Sequence, residues 1–490
     1  MDTTSIQQLS KRKRAILSAS NRYATELNSW LPKKSYFQQE DLRFLQFLIP
    51  KNAKILDLGC GTGDKLANLA PSYGVGVDFC KELIDLANAK YSNNPNIKHI
   101  IGDIEDSNFI DSIATQEGSF DIILISDVIG LLEDCQQTLH QLKKLCTQET
   151  RIIISYYSRA WDPIIKLAEM FGHKMPQPEH NYLSTSDIYN LLKLAEFNPI
   201  KREWRQLIPK YWFGLGHFIN RFIATLPVLR IFCLKNYIVA RTNLDNIKNN
   251  YNPSTTVVIP CRNEKGNIEP AILRLPKFCN DLEIIFIEGH SQDDTLNEIN
   301  RIITLYPQYN IKVLQQDGKG KADAIRKGFD YATKEILMIL DADLTTPPED
   351  LPKFYNILKS GKGEFINGSR LVYPMENQAM QFLNFVANKI FSWIFTYLLN
   401  QNFTDTLCGT KVLYRHHYQK ITANRSYFGD FDPFGDFDLI FGMSKLNLEV
   451  IEIPVRYAAR TYGTTQISRF QHGWLLLKMV VFAFRKLKAF

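Results

Sequence analysis

The sequence has no CxxC pair and no Cys/His cluster at metal-ligand spacing. Its eight cysteines are scattered at 60, 80, 135, 146, 233, 261, 279 and 408. That speaks against a structural zinc site and a disulfide framework, and for a reducing, cytoplasmic setting. No window reaches about 18 uninterrupted apolar residues, so a transmembrane helix is not expected. The opening MDTTSIQQLSKRKRAIL has no apolar run after its basic cluster and does not read as a secretory signal. Acidic residues are in slight deficit, 51 against 58 basic ones, a net charge of +7. Such an excess suits phosphate-bearing ligands or an anionic membrane face and is too weak to argue for nucleic acid.

The 490 residues are enough for more than one core. Thr242–Ser254, TNLDNIKNNYNPS, is polar, asparagine-rich and ends in Pro-Ser. That is linker composition. We take 244–254 as a linker between a domain of residues 1–243 and one of residues 255–490.

In the first domain, Lys54–Asp64 reads KILDLGCGTGD. A short apolar strand meets a turn carrying Gly59, Gly61 and Gly63, and glycine lets the backbone bend sharply and approach a ligand. A second strand, Gly74–Val77, ends in Asp78, where a carboxylate can accept hydrogen bonds from ribose hydroxyls. Strand Ile97–Ile101 leads to Asp103 and Ile104, and strand Phe120–Ser126 leads to Asp127. Strands alternating with helices predict a parallel, doubly wound α/β sheet. Asn198–Leu207 and Tyr237–Arg241 are expected to close it as an antiparallel pair. Between them an insertion, about 208–236, mixes Tyr, Trp, Phe, Leu and Ile with Lys210, His217, Arg221, Arg230 and Lys235. That composition suits a membrane interface, and equally a cap over a pocket or a contact between domains. Residues 1–50 read as helices, with Lys11–Arg14 as a solvated basic face.

Over roughly residues 40–243 this stretch resembles a class I S-adenosylmethionine-dependent methyltransferase, DLGCGTG being its most specific element. The resemblance implies a Rossmann-like fold. Asp57, Gly59, Gly61 and Gly63 would line the cofactor's amino-acid moiety. Asp78 would hold the ribose, Asp103 and Ile104 would flank the adenine, and Asp127 would sit beside the reacting methyl. Many family members carry a histidine just after the fourth strand, whereas Val128–Leu132 has none. Methyl transfer from a sulfonium needs little beyond in-line positioning. The acceptor stays open, and so does a module that binds the cofactor without turning it over.

The second domain is organised around Glu335–Pro348, EILMILDADLTTPP. A short, fully apolar strand runs into Asp341 and Asp343. Two carboxylates at the carboxyl end of a buried strand, projecting to one side by strand alternation, are expected to share a hard divalent cation with a diphosphate. Upstream, strand Thr255–Ile259 leads to Pro260, Asn263 and Glu264, and strand Leu282–Ile287 leads to Glu288. Lys319 and Lys321 stand among glycines, suited to phosphate. Downstream come NGSR at 367–370, TDTLCGTK at 404–411, FGDFDL at 434–439 and an arginine-bearing segment, Val455–Phe470. Two nearly apolar segments, Gln381–Asn400 and Trp474–Phe484, are too short or too interrupted to span a bilayer and read as interfacial helices.

This order of motifs, over roughly 254–475, resembles a family 2 glycosyltransferase of GT-A fold, close to the dolichyl-phosphate mannosyltransferase-like branch. The resemblance implies donor contacts from Pro260, Asn263, Glu264, Glu288, Lys319 and Lys321. Asp341 and Asp343 would hold Mg²⁺ or Mn²⁺ and the diphosphate of a nucleotide sugar. Arg370, Asp405, Lys411, Arg456, Arg460 and Arg469 would lie on the acceptor side, and Asp436 and Asp438 are the candidates for general base. With a polyprenyl-phosphate acceptor the phosphate oxyanion is the nucleophile; with a hydroxyl acceptor Asp438 or Asp436 must act as base. The expectation is a bifunctional transferase, peripheral on the cytoplasmic membrane face.

Overall fold

The computed structural model describes residues 9–172, 180–181, 183–243, 251–373, 382–427, 435, 437–463 and 469–489, with backbone alone at 27–34, 382–384 and 469–472. The chain forms two compact units, Met1–Asn243 and Leu244–Phe490.

The first unit holds β1 (Lys54–Leu58), β2 (Tyr73–Asp78), β3 (Ile97–Ile101), β4 (Phe120–Ser126), β5 (Cys146–Tyr157), β6 (Phe197–Arg205) and β7 (Lys235–Thr242). They lie in the order β3-β2-β1-β4-β5-β7-β6. β1 to β5 run parallel, and β7 runs antiparallel to both β5 and β6. Helices cover both faces of the parallel part, so Ile55, Leu56, Leu58, Ile123, Leu124 and Ile125 are wholly buried, and apart from Asp57 these strand centres are apolar throughout. Pro199 lacks the N–H a ladder needs and sits at a register shift on edge strand β6. Helix α1 (Lys11–Leu48) is capped by Ser10, whose side chain accepts from Lys13 N. α2 (Asp64–Asn68) follows the glycine turn, and α3 (Asp162–Met170) follows β5.

The second unit holds β8 (Thr255–Cys261), β9 (Leu282–Glu288), β10 (Asn310–Gln315), β11 (Ile336–Ile339), β12 (Phe365–Ser369), β13 (Lys411–Tyr414) and β14 (Val450–Pro454). Their order is β10-β9-β8-β11-β13-β12-β14, with β13 antiparallel to β11 and β12. Its helices include α4 (Lys265–Leu273), α5 (Lys321–Tyr331), α6 (Phe382–Leu399), α7 (Phe437–Lys445) and α8 (Arg469–Leu487). Both units are therefore doubly wound α/β folds. Strand order reverses between β1 and β4 in one and between β8 and β11 in the other, and such switch points open a crevice at the strands' carboxyl ends.

One geometric expectation fails. β11 stops at Ile339, so Asp341 and Asp343 stand on the turn beyond it and strand alternation does not aim them. The turn is shaped instead by Leu344 N donating to Asp341 O at 3.1 Å and by Leu344 at φ +53°. Among the described residues no helix is long and apolar enough to cross a membrane. All eight cysteines are free thiols.

Candidate active sites

In the first unit the crevice widens into a cavity of about 710 Å³, a size typical of small-molecule sites. Gly59, Gly61, Asp78, Asp103, Ile104 and Asp127 line it. Gly59 and Gly61 adopt φ of +76° and +54°, a region that side chains disfavour. Asp78 accepts from Gly61 N at 3.0 Å and Cys80 N at 2.9 Å, pinning the end of β2 to the glycine turn. Burial raises its carboxyl even so.

Two expected cofactor contacts stand off the cavity wall. Asp57, on β1, is buried beneath the turn. Burial, with Asp78 and Asp41 adding to it against the pull of Lys65, pushes its carboxyl up to about 6. Gly63 precedes α2 at φ +73°, and a Cβ there would collide with the His99 ring. Both act as support for the turn.

The partners of Asp127 are not legible in any motif. Lys235, wholly buried at the start of β7, donates to both Asp127 oxygens at 2.5 and 2.6 Å and lies 3.6 Å from Asp41. Lys65 pairs with Asp41 at 3.1 Å. Burial pushes the Asp41 carboxyl up, but Lys235 and Lys65 outweigh it and hold it below the usual range. Two lysines thus neutralise two carboxylates across four segments: α1, α2, the turn after β4, and β7. The basic patch also departs from expectation. Lys13 pairs with Asp103 at 2.6 Å and Glu105 at 3.1 Å, and Arg12 donates to Gly130 O at 3.0 Å. These residues clasp the cavity wall and are not merely a solvated face.

In the second unit Arg460 joins residues from separate motifs. Its Nη1 donates to Glu264 Oε1 at 3.0 Å and its Nη2 to Asp343 Oδ2 at 2.6 Å. The resemblance set this arginine on the acceptor side, yet it spans donor and metal-pair residues. Lys321, opening α5, meets Asp341 at 2.6 Å. Burial raises the Asp341 carboxyl, but Lys321, then Lys411 and Arg370, outweigh it and hold it low. The oxygen-only donors of Asp341 and Asp343 suit Mg²⁺ or Mn²⁺, and each already holds a side-chain cation in such a role. Burial leaves Glu264 raised, its bonds with Asn267 and Arg460 notwithstanding.

Pro260 is near the end of β8, and Asn263 follows at φ +55°. Asn263 N donates to Ser291 Oγ at 3.0 Å and its Oδ1 accepts from Gln292 N at 2.7 Å, stitching this loop to the one after β9. Glu288, 2% exposed, accepts from Ser291 N at 2.6 Å. Lys319 is exposed on the loop before α5.

On the expected acceptor side, Arg370 and Asp405 form a buried bidentate pair, 2.7 and 2.9 Å, so this guanidinium is engaged within the protein. Lys411 is wholly buried and donates to Cys408 O at 2.5 Å. Gly409 lies so close to Asp341 that a Cβ would collide with its Oδ2. Arg456 is exposed, its guanidinium 5.9 Å from the Tyr373 ring. Asp438 Oδ2 accepts from Arg425 at 2.9 Å and Arg326 at 3.2 Å. Asp436 and the side chain of Arg469 lie outside the described residues.

The first unit therefore offers a glycine turn over a cavity, and the second a carboxylate cluster at its switch point. Residues 49–207 match the family model described as a methyltransferase domain, and residues 256–421 the one described as glycosyl transferase family 2. The chain thus carries, in order, a match to a methyltransferase domain and a match to a family 2 glycosyl transferase domain. Over 21% of its length it is 33% identical to the dolichol-phosphate mannosyltransferase of Saccharomyces cerevisiae, of which it covers 40%. Over 44% of its length it is 25% identical to the undecaprenyl-phosphate 4-deoxy-4-formamido-L-arabinose transferase of Klebsiella pneumoniae, of which it covers 62%. The chain thus spans less than two thirds of either relative. A SAM-dependent methyltransferase from Thermotoga maritima is 14% identical with a TM-score of 0.35, covering 46% of this chain and 99% of that one.

Proposed function

We propose that the second domain transfers a sugar, with inversion, from a nucleotide-diphosphate donor to a polyprenyl phosphate, and that the first transfers a methyl group from S-adenosylmethionine. The observation that carries the first part is the gathering of Glu264, Asp341, Asp343, Lys321 and Arg460 at the switch point. Asp341 and Asp343 would hold Mg²⁺ or Mn²⁺, which when bound neutralises charge on the leaving diphosphate. Lys319 and Lys321 face the phosphates, while Pro260, Asn263, Glu264 and Glu288 shape the nucleoside end. The acceptor's phosphate oxyanion attacks the anomeric carbon as the bond to the diphosphate oxygen breaks. Asp438 would have to leave two arginines to reach a hydroxyl proton. That favours a nucleophile already ionised. Both named relatives act on polyprenyl phosphates by their names, which supports the same acceptor class here.

Helices α6 and α8 support peripheral contact with a membrane, on its cytoplasmic face in this reading. On α6 the polar residues Asn388, Ser392 and Thr396 recur at steps of four as one stripe, which turns inward: Asn388 and Ser392 are buried, Ser392 donates to Thr404 O at 2.7 Å and Thr396 to Phe403 O at 3.1 Å. Val386, Ile390 and Trp393 are left exposed, as are Trp474, Leu477 and Val481 on α8. In the first domain Asp78, Asp103 and Ile104 hold the cofactor, and Asp127, fixed by Lys235, lies beside the methyl.

The test is mass spectrometry of membrane extracts incubated with nucleotide sugars, with and without S-adenosylmethionine. Asp438→Asn should keep near-normal turnover with a prenyl phosphate, and Asp343→Asn should abolish it. A folded Asp438→Asn protein without turnover would reassign the nucleophile to a hydroxyl. No methylated product from any extract would reduce the first domain to a cofactor-binding module.

A further inference from the structure

We infer that the methyltransferase domain carries its own membrane-docking face, formed by residues 210–232, and that its partner is an anionic lipid bilayer. The inference concerns the first domain alone and does not rest on the glycosyl-transfer reading.

The segment leaves large apolar and aromatic side chains in water. Tyr211, Trp212, Phe213, Phe218, Val228 and Phe232 are all exposed, Phe213 at 105%. Trp212 and Phe213 adopt φ of +44° and +52°. Bulky side chains disfavour that left-handed region, and such strain marks sites where the local conformation serves a purpose. Here the strained pair turns two large rings outward with nothing burying them. The turn is nonetheless a built platform. Gly214 N and Gly216 N both donate to Tyr211 O, at 3.1 and 3.0 Å. Asn220 clamps Ile208 through both main-chain groups, at 2.9 and 2.7 Å, and donates to Tyr36 OH at 3.1 Å.

The charge pattern names the partner. From Trp204 to Asn243 the sequence has no aspartate or glutamate, while Lys210, Arg221 and Arg230 are interleaved with the aromatics. Arg221 and Arg230 lie over the rings of Phe222 and Trp204, at 5.7 and 4.3 Å. Amphipathic rings at headgroup depth with cations beside them describe a surface for anionic lipid. The apolar area continues onto α3, where Ile164, Leu167 and Met170 are exposed, and Trp161 Nε1 donates to Phe232 O at 2.7 Å to join the two parts. Tyr211 also packs edge-on against Tyr36 of α1, 5.7 Å between centroids, one residue from cavity-lining Phe37. Docking on this face therefore sets the cofactor cavity beside the bilayer.

Hydrogen exchange of the full chain tests the inference: without vesicles, with phosphatidylcholine vesicles, and with vesicles that also contain phosphatidylglycerol, each at a low and a high protein concentration. Peptides within 210–232 should gain protection only with the anionic vesicles, at both concentrations. Lys210→Gln and Arg230→Gln should each weaken vesicle binding by about fivefold. The double variant Trp212→Ser/Phe213→Ser, with an unchanged melting temperature, should float markedly less. Should it fail to fold, the wild-type exchange pattern still decides. Protection already present without vesicles would assign the face to the second domain or, if concentration-dependent, to a second copy. Vesicles that protect α6 and α8 but leave 210–232 unchanged would also overturn it.

Discussion

Arg460→Met should tighten the binding of Mn²⁺ to the nucleotide-free protein. The guanidinium stands 2.6 Å from Asp343 Oδ2 and 3.0 Å from Glu264 Oε1, and a cation held by Asp341 and Asp343 must displace it or endure its charge. Two unit charges at ~4 Å interact by about 4 kcal/mol at an effective dielectric of ~20, and by about 1 kcal/mol in bulk water. The Arg460 side chain is 26% exposed, which moves the interaction toward the lower end, about 1–2 kcal/mol after solvent screening. Removing it should raise Mn²⁺ affinity by about 5- to 30-fold. Methionine keeps an unbranched stem, so packing changes little. With a nucleoside diphosphate present the sign should reverse, because phosphate oxygens are then a partner for the guanidinium and the variant lacks that contact. Paramagnetic resonance of free Mn²⁺, or calorimetry, with and without the nucleotide, measures both. Unchanged or weaker Mn²⁺ affinity in a nucleotide-free variant that melts normally would refute the idea that Arg460 competes for the metal's position.

Gly409→Ala should cut glycosyl transfer by at least about tenfold, since a Cβ there would push the Asp341 carboxylate and the Lys321 ammonium out of place; cofactor binding by the first domain, followed by calorimetry, should stay normal. Lys235→Met leaves Asp127 and Asp41 short of a buried counter-charge and should destabilise the first unit by about 3–5 kcal/mol. Adding Asp127→Asn should recover part of that loss in chemical denaturation, and strict additivity of the two changes would count against the pairing. Asp57 makes a pH prediction. Its folded carboxyl is raised to about 6, so between about pH 4 and that value the folded unit holds a proton the unfolded chain has released. Stability from this group therefore falls as pH rises through that window. Asp57→Asn should remove the fall, amounting to about 3 kcal/mol at most, and urea melts on either side of the window showing a wild-type slope would contradict it.

Much of the architecture was legible because its signals are local. Ile122–Ile125 and Ile336–Ile339 are apolar runs because both faces of a parallel strand are covered, and DLGCGTG marks a turn only glycine makes easily. The antiparallel closure by β6 and β7 was readable from their composition and the intervening insertion. Asp341 and Asp343 were visible as a pair, but their placement followed from where β11 ends, which hydrophobicity alone does not mark.

What the sequence determined by itself was the order of two α/β units, the switch-point turns and the identity of the carboxylates that follow each strand. These depend on steric limits and burial within a few residues. Only the tertiary structure decided which cation meets which carboxylate: Lys235 and Lys65 around Asp41 and Asp127, Arg460 between Glu264 and Asp343, Arg326 and Arg425 on Asp438. Coulomb attraction acts through space between residues that the chain brings together from far apart, so no spacing rule records it. The same holds for the polar stripe of α6, whose inward turn, and the outward apolar face it leaves, were set by what the helix packs against.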